Sequence, residues 1–124
     1  MDKTEQVNKI TDKILGASIE VHKALGPGFI EKIYCEALCT EFEDRKIKYE
    51  KEKIIKVNYK DKLLGEQRID FLVEDEVIVE LKAIESMGKI HIAQLLSYLK
   101  ALDKNIGLIL NFAEPKLAIK RVIT

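Results

Sequence analysis

The 124-residue chain has no tryptophan, and cysteine, proline and methionine occur only twice each. Two cysteines, Cys35 and Cys39, make no disulfide framework and cannot by themselves hold a four-cysteine iron–sulfur cluster or structural zinc. Four apart on an expected helix, they read as reduced structural thiols. Excess charge is also missing: 21 Lys and Arg face 21 Asp and Glu. That balance removes the simplest case for binding nucleic acid or an anionic membrane, although a local basic patch stays open. No apolar run approaches the roughly 20 residues that a membrane span requires. The segment Met1 to Gln6 is polar, with no apolar signal core behind it, so the cytoplasm is the expected compartment. What is present, 47% apolar and 34% charged residues, is a soluble globular composition. The length suits a single domain over residues 1–124.

Periodicity divides the chain into elements. From Val7 to Leu25 the apolar residues Val7, Ile10, Ile14, Ala17, Val21, Ala24 and Leu25 recur at threes and fours, which predicts an amphipathic helix. Gly26-Pro27-Gly28 ends it, because glycine suits the C-terminal cap and proline cannot continue a helix. A second helix is expected from Ile30 to Arg45, burying Ile33, Tyr34, Ala37, Leu38 and Phe42. Strands follow at Ile47–Tyr59, Leu63–Val73 and Val77–Ile84, the last two joined by the acidic turn Glu74-Asp75-Glu76. Lys89 to Ala101 is helical, Ile106 to Phe112 reads as a strand buried on both faces, and Leu117 to Ile123 as an edge strand. The order predicts an α/β fold, a mixed β-sheet flanked by helices.

Some polar residues do not suit their surroundings. On the third strand Val77, Val79, Leu81 and Ala83 share one face, and Ile78, Glu80, Lys82 and Ile84 the other. On the second, Ile69, Phe71 and Val73 are expected on one face and Asp70 on the opposite one. A hairpin centred on Asp75 pairs residues whose numbers sum to 150, which sets Asp70 across from Glu80 on one face. Two carboxylates so placed repel, and a hard divalent cation would relieve them. A salt-bridge cluster with Lys82 between the acids reads the same spacing equally well. Gln94 and Tyr98 lie one turn apart on the helix after these strands, while His22, Glu31 and Tyr34 stand near the junction of the first two helices.

Together these residues resemble a known family. Gly28-Phe29-Ile30-Glu31-Lys32-Ile33-Tyr34 is similar to the motif for which the GxxExxY proteins are named. Ile19-Glu20-Val21-His22, Asp70-Phe71-Leu72-Val73, Ile78-Val79-Glu80-Leu81-Lys82-Ala83, Gln94 to Lys100 and Gly107 to Phe112 resemble that family in the same order. The resemblance implies the PD-(D/E)xK nuclease-like superfamily, a restriction-endonuclease-like core and, through Gln94 and Tyr98, the RecB-like QxxxY branch. It assigns Asp70 as the motif aspartate, Glu80 and Lys82 as the E-x-K pair, and Glu31, with His22, as the upstream position that completes a metal shell. Ile69 stands where the nominal proline would precede the aspartate.

The activity implied is metal-dependent hydrolysis of phosphodiesters in nucleic acid, DNA before RNA. In this reading Asp70, Glu80 and the Leu81 carbonyl hold Mg²⁺ or Mn²⁺, with Glu31 or His22 nearby. Lys82 sits beside the attacking water, Gln94 orients water, lysine or phosphate, and Tyr98 buttresses the strand or contacts substrate. Basic residues concentrate between Arg45 and Lys62 with acids interleaved, which describes either a solvated edge strand or a DNA track. No sequence-reading element is recognisable, so a partner protein or a second copy, as a homodimer, would supply specificity. Two rival readings are a catalytically silent nuclease-like fold used as a nucleic-acid or protein binding module, and a plain structural α/β domain.

Overall fold

A computed structural model describes residues 2–124. Helix α1 spans Lys3–Leu25 and α2 Glu31–Asp44. Strands β1 (Tyr49–Tyr59), β2 (Lys62–Val73) and β3 (Val77–Lys82) follow, then α3 (Lys89–Leu102), β4 (Ile106–Asn111) and β5 (Ala118–Ile123). Each element falls within a few residues of its expected place. The Asp2 carboxylate caps α1 by accepting the Glu5 N–H at 2.9 Å. Gly26 ends the helix with φ of 68°, in the left-handed region that glycine enters without steric cost.

The five strands form one sheet in chain order, β1 and β5 at its edges. Neighbours are antiparallel except β3 and β4, which run parallel because α3 carries the chain between them. The helices cover the two faces separately. Ile14, Ala17, Tyr34, Leu38 and Phe42 of α1 and α2 pack on Phe71, Val73, Val77, Val79, Leu108 and Leu110. Leu95, Tyr98 and Leu99 of α3 pack on Ile55, Ile69, Leu72, Ile78 and Ile109. The interior strand β4 is buried along its whole length, as its unbroken apolar run predicts. Gly107 lets α3 approach it: a Cβ there would stand 2.8 Å from a Leu95 methyl carbon.

The β2–β3 register is the expected one, Val73↔Val77, Leu72↔Ile78 and Phe71↔Val79. Two expectations about faces fail. Ile33, expected on the buried face of α2, is 42% exposed, because that face is formed by Tyr34, Leu38 and Phe42. Ile69 packs with Leu72 and Ile78 on the α3 side, whereas Phe71 and Val73 belong to the α1–α2 side. The cause lies across the ladder. Glu52 of β1 has φ of 55°, and the β1–β2 pairs pass from Lys51↔Phe71 to Lys53↔Ile69 with none at Glu52 and Asp70. A residue in the left-handed region interrupts the pleat, so the alternation of faces breaks at Asp70.

Candidate active site

The interruption gives Asp70 its chemistry. The β2–β3 ladder stops at Phe71↔Val79, and the next residues by that register, Asp70 and Glu80, connect through side chains. The Asp70 N–H donates to Glu80 Oε2 at 2.8 Å, and the Leu81 N–H donates to Asp70 Oδ2 at 2.7 Å. Each carboxylate therefore takes the place of a backbone acceptor where the strands part. Those bonds use one oxygen of each group and leave Asp70 Oδ1 and Glu80 Oε1 for a ligand.

The electrostatics follow from burial. Glu80 is only 7% exposed. Burial first, and then the neighbouring Asp70, raise its carboxyl to about 8, against about 4.5 for an ordinary glutamate. Near neutrality the pair thus retains a proton. Lys82 favours the charged form of Glu80 only as the last of five influences, and it joins none of the ion pairs among the described residues. The salt-bridge cluster that the sequence also allowed is therefore not formed: neither acid pairs with Lys82.

Other expected residues gather around this pair to different degrees. Asp70 and Leu81 line a cleft of about 530 Å³ beneath α2, and Glu31 from the first turn of α2 lines it too. Local sequence explains how Glu31 arrives there. The Tyr34 hydroxyl donates to the Gly26 carbonyl at 2.6 Å and accepts the Phe29 N–H at 3.2 Å. Its ring stacks on Phe112 with centroids 4.5 Å apart. Gly28, with φ of 118°, turns the chain inside that clamp. Within the Gly28…Glu31…Tyr34 spacing, glycine thus makes the turn, tyrosine pins it, and glutamate opens the helix at the cleft.

Tyr98 is buried on the opposite face of the sheet. Its hydroxyl is pushed above the ordinary tyrosine value by burial and then by Glu80 and Asp70, which marks it as their neighbour. Gln94 is half-buried one turn earlier on α3. His22 is engaged elsewhere. Its Nε2 lies 2.9 Å from the Glu114 carbonyl, and its ring packs on Phe112, so it ties α1 to the β4–β5 connection. It is not among the residues lining the Asp70 cleft.

Several residues at the site had no role in the sequence reading. Cys35 lines the cleft, its thiol raised to about 12 by burial and then by Asp70, which keeps it protonated and unreactive. Lys51 pairs with Glu36 across the same cleft, joining β1 to α2. Asn111 is buried at the end of β4. Its Nδ2 donates to the Ile84 carbonyl at 2.9 Å, and its Oδ1 accepts the N–H groups of Ile84 and Ala113 at 3.2 Å each. It holds the chain just beyond Lys82 against β4. A lone asparagine inside an apolar run was the available signal.

The donor set can be weighed against a cation. Among the described residues no three His, Cys, Asp or Glu side chains converge as a ready-made metal cage. Two neighbouring carboxylates, a glutamate across a polar cleft and room for water suit Mg²⁺ or Mn²⁺, since Mg²⁺ keeps several waters and takes one or two carboxylates. The same set does not suit zinc, which favours nitrogen and sulfur ligands.

A family model described as the PD-(D/E)XK nuclease superfamily matches residues 8–122. No curated protein matches the chain. Among solved structures, one titled "Crystal structure of SSO0001" is similar with a TM-score of 0.59 and 18% identity, over 74% of this chain and 48% of that one. The chain thus spans about half the length of that relative, and at this identity the likeness concerns the fold. Among the described residues no helix is long and apolar enough to cross a membrane.

Proposed function

We propose that this chain, which belongs to the PD-(D/E)XK nuclease superfamily, is a GxxExxY-type member that hydrolyses phosphodiester bonds of nucleic acid, DNA in the first place. The observation that carries the reading is the Asp70–Glu80 pair: two neighbouring carboxyls bonded to the backbone of each other's strand, the buried one raised to about 8, and neither in an ion pair among the described residues.

Asp70, Glu80 and the Leu81 carbonyl would hold Mg²⁺ or Mn²⁺, with Glu31 reaching it through water. His22 is left out of this set because its ring nitrogen is bonded to Glu114. The bound cation would supply charge stabilisation at the phosphate and make nearby water more acidic. Glu80 must release its proton to take part, so cation affinity rises with pH toward about 8. The Lys82 ammonium, free of ion pairs, balances charge on the phosphate and orients the attacking water. Gln94 positions that water or the lysine, and Tyr98 supports the strand beneath Glu80. A second copy of the chain or a partner protein would extend contact with a long substrate.

The test is calorimetric titration with Mn²⁺, followed by cleavage of single- and double-stranded DNA and RNA in Mg²⁺, Mn²⁺ or EDTA. Glu80→Ala is expected to lose ion binding and cleavage together; unchanged cleavage overturns the assignment. Mn²⁺ binding without cleavage of any nucleic acid favours the silent binding module instead.

A further inference from the structure

Beyond Asp70 the first two strands leave β3, and past Ile55 and Ile69, which still pack on α3, they leave the body of the molecule. β2 pairs with β3 only from Phe71 to Val73, but it pairs with β1 all the way to Tyr59↔Lys62. The outer part is therefore a two-stranded ribbon whose base is the candidate site. From Lys56 to Tyr59 the free part extends roughly 10 Å at about 3.3 Å per residue. Lys60 and Asp61, both with positive φ, close it in a tight loop. Residues 56–68 are exposed without exception.

The composition of that ribbon is not what solubility alone requires. Lys56, Lys60, Lys62 and Arg68 face only two acids, Asp61 and Glu66, in a chain whose net charge is zero. None of these four bases joins an ion pair among the described residues. Tyr59, Leu63 and Leu64 near the tip are 62%, 51% and 60% exposed. A groove of about 500 Å³ runs between the ribbon and α3, its wall including Lys56, Gln67, Ser97, Lys100 and Tyr98. Tyr98, in the wall of this groove, is also the neighbour of Glu80.

We infer that this ribbon is a grip for duplex DNA, entering the major groove and passing the adjacent backbone to the site at its base. The inference rests on the phosphodiesterase reading for the site but on separate residues for the surface. Two strands about 5 Å apart with their side chains fit a B-form major groove about 12 Å wide. The deep, narrow major groove of A-form RNA excludes them. The unpaired lysines and arginine neutralise phosphates, and Tyr59, Leu63 and Leu64 offer apolar contact to bases.

The test compares wild type with Lys56→Gln/Lys60→Gln/Lys62→Gln, all three sites exposed. Binding to a fluorescein-labelled duplex of about 20 base pairs is read by anisotropy in EDTA across salt concentrations. The variant should bind at least about tenfold more weakly, with a log–log salt slope smaller by about 2 to 3. Equal binding by both proteins, no binding of the duplex by wild type, or stronger wild-type binding to duplex RNA overturns the grip. So does a shift of wild type, but not of the variant, to a dimer in ultracentrifugation without DNA, which would make the ribbon a self-association surface. Hydrolysis of bis(para-nitrophenyl) phosphate with Mn²⁺ keeps the two readings apart, because that diester is too small to reach the ribbon. Equal hydrolysis by both proteins with equal duplex binding removes the grip and keeps the site. Absent hydrolysis with weakened duplex binding in the variant removes the site and keeps the grip.

Discussion

Replacing Glu80 by glutamine should stabilise the protein in EDTA, and the gain should grow with pH. The side chain is buried, and its carboxyl is held at about 8 by burial and by Asp70. In the unfolded chain it titrates near 4.5. The folded state therefore binds a proton that the unfolded state has lost throughout that interval. A raised acid of this kind gives stability that is complete below about 4.5 and is lost as pH climbs through about 8. At about 1.4 kcal/mol per pH unit the interval sets a ceiling of about 5 kcal/mol. Relaxation and entry of water around the ionised pair bring the expected difference to about 2 or 3 kcal/mol. Glutamine carries no charge at any pH, and its side-chain oxygen can still accept the Asp70 N–H that Glu80 accepts. Urea unfolding followed by circular dichroism, from about pH 5 to about pH 9, isolates the effect as the difference between the two proteins. That difference should be near zero at the acid end and should favour the glutamine variant at the alkaline end. Adding Mn²⁺ at the alkaline end should reverse the order, because only the wild type retains both carboxylates. Parallel curves for the two proteins over the whole range would refute the reasoning, since the buried proton would then not exist.

Lys82→Ala should slow cleavage by about a hundredfold or more while leaving calorimetric Mn²⁺ affinity close to wild type, because the ammonium acts on the phosphate and not on the ion. Asn111→Ala strands the N–H and carbonyl of Ile84 and the N–H of Ala113; a loss of about 2 to 4 kcal/mol in urea unfolding is expected. Gly107→Ala drives a methyl into Leu95, and thermal unfolding should report about 1 to 3 kcal/mol of destabilisation.

Much of this architecture could be read from alternation and punctuation. The run from Ile106 to Phe112 announced a strand buried on both faces, and the acidic turn at Asp75 fixed a register that the β2–β3 ladder reproduces. The break at Glu52 could not be read, because a glutamate carries no marker for positive φ and the interruption appears only when the two strands pair. Ile69 changed faces for that reason. The bond that His22 makes could not be read for another reason: its partner is a backbone carbonyl 92 residues away, and every residue has one. Tyr34 stood out as a buried helix residue and as the last position of the Gly28…Glu31…Tyr34 motif, but neither reading gave its hydroxyl a partner. Its hydroxyl closes a loop whose glycines were already visible, so turn and clamp together account for the spacing.

The exchange between Asp70 and Glu80 also bears on how the molecule assembles. The two residues are ten apart and belong to one hairpin, so they meet by local closure. β4, which flanks β3 on its other side, arrives only after α3 has been laid across the sheet. For that interval the hairpin holds two acids together at an open edge, with water still able to separate them. Whatever relieves the repulsion between the two acids, such as a proton on Glu80, therefore stabilises the hairpin register itself and not only the pair. Register and protonation are in this way linked.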